Sequence, residues 1–151
     1  MSYLEHVDRR IRELMSRFGT PVLQYSLAVI FIWFGALKPF GLSPAQVLVE
    51  RTVYFVDPAW FVPFLGWWEV AIGICFLYRP LVRVGIPLLF LQLPGTFLPL
   101  VLLPGICFTA VPVGLTMEGQ YIVKNLVIIG SALVVGGSLA PISLRQPVSG
   151  T

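Results

Sequence analysis

Residues 58–78 read PAWFVPFLGWWEVAIGICFLY, and this stretch decides the fold. Its single charge is Glu69. A helix needs about 20 mostly apolar residues to cross the hydrocarbon layer of a bilayer. Three further stretches meet that requirement. One covers about 21–40 and is uncharged until Lys38; one covers about 81–103 with only Arg83, near its start; one covers about 117–140 with Glu118 and Lys124 near its start. The expected fold is all-α: an integral membrane four-helix bundle over residues 20–140.

Composition agrees. The chain has 151 residues, 57% of them apolar and 11% charged, with a mean hydropathy of +0.88. An ordinary soluble domain is roughly 25% charged. A soluble enzyme and a disordered chain are excluded on that ground. Ten Lys and Arg against seven Asp and Glu leave +3, too little to suggest nucleic acid. The two cysteines, Cys75 and Cys107, fall at opposite ends of the expected bundle, so no disulfide joins them. His6 is the only histidine, and no metal cluster, Ser–His–Asp set or phosphate cradle is legible. The first expected partner is the lipid bilayer.

The flanks add three elements. In residues 1–19, Leu4, Val7, Ile11, Leu14, Met15 and Phe18 recur at helical spacing, with Glu5, Asp8, Arg9, Arg10, Arg12, Glu13 and Arg17 on the other face. That pattern predicts an amphipathic interfacial helix on the membrane surface, or else a short cap packed on the spans. Thr20-Pro21, Ser43-Pro44 and Asp57-Pro58 each place a capping oxygen before a proline, as at a helix start. Ser43 to Gln46 fits a capping box opening a short outer helix, about 44–54. Residues 141–151 form a short polar tail.

Four spans put both termini on one side. That side collects Arg9, Arg10, Arg12, Arg17, Arg79, Arg83 and Arg145, against Lys38, Arg51 and Lys124 on the other. The positive-inside rule then predicts cytoplasmic termini. The 41–57 and 104–116 connections fall on the outer face, and the second is apolar enough to fold back as a lid or meet a partner.

Within the spans, small residues must let helices approach, because lipid supplies little drive for association. Gly66 and Gly73 thin one side of span two; Ala132, Gly136 and Ala140 form a ladder on span four. Span three carries Pro87, Pro94 and Pro99, and Pro94-Gly95 beside Gln92 predicts a midspan kink.

Charges inside a bilayer are expensive and mark candidate sites. At 1.5 Å per residue Glu69 and Gln92 lie about 16 Å below the outer ends of their spans, and Lys124 about 10 Å below its own. Depth makes Lys124 the expected partner of Glu69, with Lys38 and Glu118 as a second pair nearer the surface. Gln120, Tyr121 and Lys124 share one stripe of span four. Two readings stand: interhelical pairs that fix the register, or a polar pocket of Lys38, Glu69, Gln92, Glu118, Tyr121 and Lys124. Phe34, Phe64, Trp67 and Trp68 would give that pocket flat walls for a quinone-like ligand.

Three motifs carry a family resemblance. Trp33-Phe34-Gly35-Ala36-Leu37-Lys38 resembles the WxGxxKF-type signature of DoxX-like membrane proteins, although Pro39 stands where many members have Phe. Trp68-Glu69 with Gly73, and Glu118-Gly119-Gln120-Tyr121-Ile122-Val123-Lys124-Asn125, are similar to their second-span and last-span patterns. The likeness covers about residues 20–138 and is nearest to the YkgB branch, which includes reactive-chlorine-resistance membrane proteins. It implies a four-helix protein of a bacterial-type inner membrane, with relatives in thiosulfate:quinone oxidoreductase and in thiol and oxidative stress. It also implies functional positions at Lys38, Glu69, Glu118 and Lys124. The resulting expectation is a membrane subunit of a quinone-linked redox or oxidative-stress system. The alternative is a noncatalytic accessory or assembly subunit of a larger membrane complex or a homo-oligomer.

Overall fold

The computed structural model of the chain describes residues 3–140; the expected tail, with Arg145, lies outside the described residues. Its helices are α1 (Tyr3–Leu37), α2 (Gln46–Thr52), α3 (Pro58–Leu77), α4 (Val82–Leu102), α5 (Pro104–Cys107), α6 (Met117–Val123) and α7 (Asn125–Gly137). A 3₁₀ turn at Arg79–Leu81 leads into α4. Strands β1 (Phe108–Ala110) and β2 (Gly114–Leu115) pair antiparallel between α5 and α6. The all-α expectation therefore holds for the bulk of the chain and misses this small hairpin.

Four helical stretches are long and apolar enough to cross a membrane: Tyr3–Leu37, Pro58–Leu77, Arg79–Leu102 and Met117–Gly137. The lengths and composition are those of a multi-pass membrane protein. Helix α3 packs on α1 and α4, and α7 packs on the same two. Leu27, Ala28, Ile72, Phe76, Val82, Leu89, Ala132 and Val135 fill the centre.

The expected break at Thr20-Pro21 does not occur. Pro21 lies inside the 35-residue helix α1, so residues 3–18 are the first turns of the first long helix and not a separate element. Every residue from Tyr3 to Phe18 is exposed, which also removes the reading of a cap packed on the spans. The Asp8–Arg12 ion pair, 2.8 Å apart, adds a little local helical support.

Asp57 behaves as expected: its carboxylate accepts from the Ala59 N–H at 2.9 Å with Pro58 in the first turn. Ser43 does not form the expected box. Its hydroxyl accepts from Ala45 N–H at 3.3 Å, α2 begins only at Gln46, and the Gln46 amide donates to Glu50 at 2.9 Å. Thr116 is a cap the sequence reading missed: its hydroxyl accepts from Gly119 N–H at 3.1 Å and donates to the Ile106 carbonyl at 2.6 Å. That pair of bonds caps α6 and closes the two ends of the 104–116 connection on each other; no residue of the connection lines the cleft described below.

Glycines set the helix spacing. A Cβ built on Gly73 would lie 2.6 Å from Ile32 Cγ1 and 2.9 Å from the Ala28 carbonyl oxygen; one on Gly136 would lie 2.8 Å from Ile86. The Gly73 contacts include α1 backbone atoms, so α1 meets α3 at a distance only glycine permits; at Gly136 the near atom is the tip of the Ile86 side chain, which can turn aside. At the opposite end from the hairpin, Arg79 donates to the Ser138 carbonyl at 3.4 Å and Arg83 to the Ala140 carbonyl. These arginines satisfy carbonyls that the end of α7 leaves without helical partners.

Candidate functional site

The polar set converges, with different partners from those expected. Lys38, just past the end of α1, forms an ion pair and hydrogen bond with Glu69 Oε2 of α3. Lys38 is 7% exposed and Glu69 9%. Gln92 of α4 donates from Nε2 to the other carboxylate oxygen, Glu69 Oε1, at 2.7 Å. Three helical segments thus meet at one carboxylate.

Depth alone misled the pairing. Lys124 is not the partner of Glu69, nor Glu118 that of Lys38. The physical reason is the glycine contact between α1 and α3. A Cβ on Gly66 would fall 2.8 Å from Lys38 Cβ, and one on Gly35 would fall 2.8 Å from Glu69 Cβ. The two backbones are so close that Lys38 reaches Glu69 before any side chain from α6 or α7 can.

A buried carboxylate and ammonium are tolerable only together, and only when their remaining hydrogen-bonding capacity is met. The Gln92 amide supplies one such bond. Its orientation follows from chemistry: an ionised carboxylate only accepts, so the NH₂ faces Glu69. Gln92 Oε1 is left buried with no hydrogen-bond partner among the described residues.

The triad lies on the wall of a cleft of about 780 Å³ at the hairpin end of the bundle. Tyr121, Lys124 and Asn125 line it from the α6–α7 side, and Leu48 and Thr52 of α2 close it from the end. Phe34 and Trp68 are among its aromatic walls, with Phe64 packed beside Trp68 at 6.1 Å between ring centroids. Tyr121 meets the Phe34 ring edge-on, centroids 6.4 Å apart and planes at 84°. Neither the Tyr121 hydroxyl nor the Lys124 ammonium has a hydrogen bond among the described residues, so both donors are available to a ligand in the cleft. Pro94 and Pro99 sit inside α4, which runs as one helix from Val82 to Leu102 past Gln92.

Two expected members fall outside. Trp67 is 58% exposed and points away from the cleft lining, and Glu118 is exposed at the first turn of α6. Helical spacing accounts for Trp67: its neighbour Trp68 faces the cleft, and one residue is a turn of about 100°.

Two residues were missed. Gln24 is buried in α1 and donates to the Phe76 carbonyl at 2.8 Å. Pro80 stands four residues after Phe76 and has no N–H to offer that oxygen, so Gln24 takes its place. Asn125 follows the break between α6 and α7 at Lys124, and its amide donates to the Tyr121 and Ile122 carbonyls at 3.2 and 2.9 Å. A lone amide in an apolar span was the available signal for Gln24, the same signal that singled out Gln92. No group of three metal-ligating residues occurs among the described residues.

No family model, no curated protein and no solved structure matches the chain.

Proposed function

We propose that the chain is a DoxX-like, multi-pass protein of a bacterial-type inner membrane with both termini cytoplasmic, and that its cleft holds the head of a quinone for a redox or oxidative-stress system. The observation that carries this reading is the Lys38–Glu69–Gln92 triad on the wall of a cleft of about 780 Å³ with aromatic sides. Ligand pockets of roughly 300–1,000 Å³, mostly apolar with a few placed polar groups, suit a ligand of that size. Phe34 and Trp68 offer faces for a flat ring, and the Tyr121 hydroxyl and Lys124 ammonium offer donors for its carbonyl oxygens. A bound quinone supplies the electron and proton chemistry itself; this chain positions the ring and polarises its carbonyls. The motif resemblance at residues 33–38, 68–73 and 118–125 supports the same assignment.

Titration of the protein in lipid nanodiscs with a short-chain ubiquinone analogue, followed by tryptophan fluorescence, tests the reading. Saturable quenching that weakens severalfold in Tyr121→Phe and Lys124→Met is expected. Absence of saturable binding overturns it. Glu69→Gln is then assayed for quinone-dependent electron transfer in membranes, and unchanged turnover removes Glu69 from the chemistry.

A second reading is favoured by the hairpin. Val111 and Val113 at its tip are 70% and 86% exposed. In a noncatalytic accessory or assembly subunit, that tip meets another protein of a larger complex. Purification in mild detergent discriminates: a chain that never carries a second protein rules this reading out.

A further inference from the structure

Helices α3 and α4 touch at one end and part at the other. Away from the hairpin they are in contact: a Cβ built on Gly85 would lie 2.8 Å from Cys75 Cβ. Midway, Gln92 Nε2 reaches Glu69 Oε1 at 2.7 Å. Gly95 stands nearer the hairpin, about 15 Å along α4 from Gly85 at the helical rise. A Cβ there would meet nothing within 4 Å. Around the α4 axis, Leu91 and Gly95 lie about 100° and 60° from Gln92, on the side away from the buried Leu89. Phe64 of α3 and Leu91 and Leu98 of α4 line the cleft, yet they are 49%, 68% and 36% exposed. The cleft is therefore open to the outside along the α3–α4 seam, at and beyond the level of the Glu69–Gln92 bond.

The other sides are closed. Gly35 and Gly66 bring α1 against α3. The Tyr121 ring stands edge-on to Phe34 between α1 and α6. Between α4 and α6, Ile122 lines the cleft and is 2% exposed. Phe31 and Leu89 are buried at its floor, and Leu48 and Thr52 of α2 cover its end. The rim of the open side is apolar, whereas the Tyr121 hydroxyl and Lys124 ammonium inside have no hydrogen bond among the described residues. An acyl chain entering from a bilayer would bring those donors only a methyl end. A molecule with acceptor oxygens on its head and a long apolar chain serves both: the donors meet the head, and the seam takes the chain.

We infer that the α3–α4 seam seats the hydrocarbon tail of the ligand, so that the cleft takes a membrane-borne, long-tailed quinone and admits it sideways from the bilayer. The inference rests on the quinone reading above and adds to it the tail, its seat and its route. Burial itself gives the tail little, because lipid is as apolar as the seam. The seam contributes room and direction: the head reaches Tyr121 and Lys124 while the chain runs out past Gly95 into lipid.

Two probes in lipid nanodiscs test the seat: a dimethoxy-methyl-benzoquinone without a chain, and the same ring carrying a decyl chain. Tryptophan fluorescence reads the binding of each to the unsubstituted chain and to Gly95→Leu, which fills the seam at a position with free space. Comparing each probe with itself across the two chains cancels its partitioning into lipid. Gly95→Leu is expected to weaken the decyl probe roughly tenfold, a modest steric conflict on the scale of overpacked sites, and the bare ring by less than about twofold. Gly130→Leu, at another glycine with free space, should change neither. A decyl probe with a diazirine at the chain tip should label residues 91–98 of the unsubstituted chain, and excess decyl quinone should suppress the label. If Gly95→Leu lowers the melting temperature, the labelling alone decides. Equal weakening of both probes by Gly95→Leu, or of neither, overturns the inference, as does label spread evenly over the helices. So does seam labelling by a diazirine phospholipid that decyl quinone fails to displace, which would make the seam a lipid site. In each of those cases the bare ring still binds and the quinone reading stands. Absence of saturable binding of either probe removes both.

Discussion

Gly35 of α1 and Gly66 of α3 are in direct backbone contact. A Cβ on Gly66 would come 2.6 Å from the Gly35 carbonyl oxygen, and a Cβ on Gly35 would come 2.8 Å from the Gly66 carbonyl oxygen. Lys38 packs on Gly66 and Glu69 on Gly35, so the ion pair straddles the glycine contact of these antiparallel segments, and that contact sets the distance across which the charges meet.

Gly35→Ala and Gly66→Ala are each expected to push α1 from α3 and destabilise the bundle by about 1–3 kcal/mol, the usual cost of overpacking. Thermal unfolding in detergent measures the loss. Gly130→Ala is the control, since a Cβ there meets nothing within 4 Å; it should leave the melting temperature close to that of the unsubstituted chain.

Gln24→Leu removes the donor that stands in for the missing Pro80 N–H at the Phe76 carbonyl. A buried carbonyl without a partner is expected to cost about 1–2 kcal/mol. Gln24→Glu adds a buried charge facing a carbonyl oxygen and should cost more. Unfolding of the two variants side by side checks the order.

Much of the fold was legible because helices long and apolar enough to cross lipid show both properties in the sequence, and residues 58–78 state both openly. The start at Pro58 was legible from the Asp57 cap, and the start at Met117 from the onset of the apolar stretch alone, its Thr116 cap having gone unrecognised. The site was half legible. Lys38, Glu69, Gln92, Tyr121 and Lys124 all reach one cleft, since each is a polar group in an apolar helix. Their pairing was not legible, because depth along each helix says nothing of how closely two axes approach; Gly35 decides that, and its role emerges only when α1 is laid against α3. Pro21 misled for a related reason: a proline preceded by threonine marks a helix start locally, but α1 continues through it.

Cys107 is fully buried beneath the hairpin, and its thiol donates to the Pro99 carbonyl at 3.5 Å. Burial, and then the Glu118 carboxylate, push its pKa above the ordinary thiol value. A raised pKa means the folded state holds the proton longer than the unfolded one. The resulting stability is complete below the ordinary thiol range and is lost as pH rises from there through the raised value. Cys107→Ala should therefore flatten the alkaline limb of the stability profile, while Glu118→Gln, which removes the smaller of the two causes, should flatten it only in part. An alkaline limb of the same slope in Cys107→Ala would show that other groups account for it.

The Lys38–Glu69 pair makes the sharpest prediction, because removing one member of a buried pair differs in kind from removing both. Lys38→Met leaves a carboxylate facing apolar surroundings with only the Gln92 amide for company, and a loss of about 3–5 kcal/mol is expected, as is usual for an orphaned buried charge. Glu69→Gln strands the ammonium and should cost a comparable amount. The double variant Lys38→Met with Glu69→Gln removes both charges and keeps a hydrogen-bonding side chain opposite Gln92. It should recover much of the loss, giving a strongly non-additive cycle in thermal or denaturant unfolding. If the pair serves only the register of α1 on α3, the double variant should regain quinone-analogue binding along with its stability. If the charges also act on the ligand, stability returns and binding does not, and the separation of those two readouts assigns the pair its role.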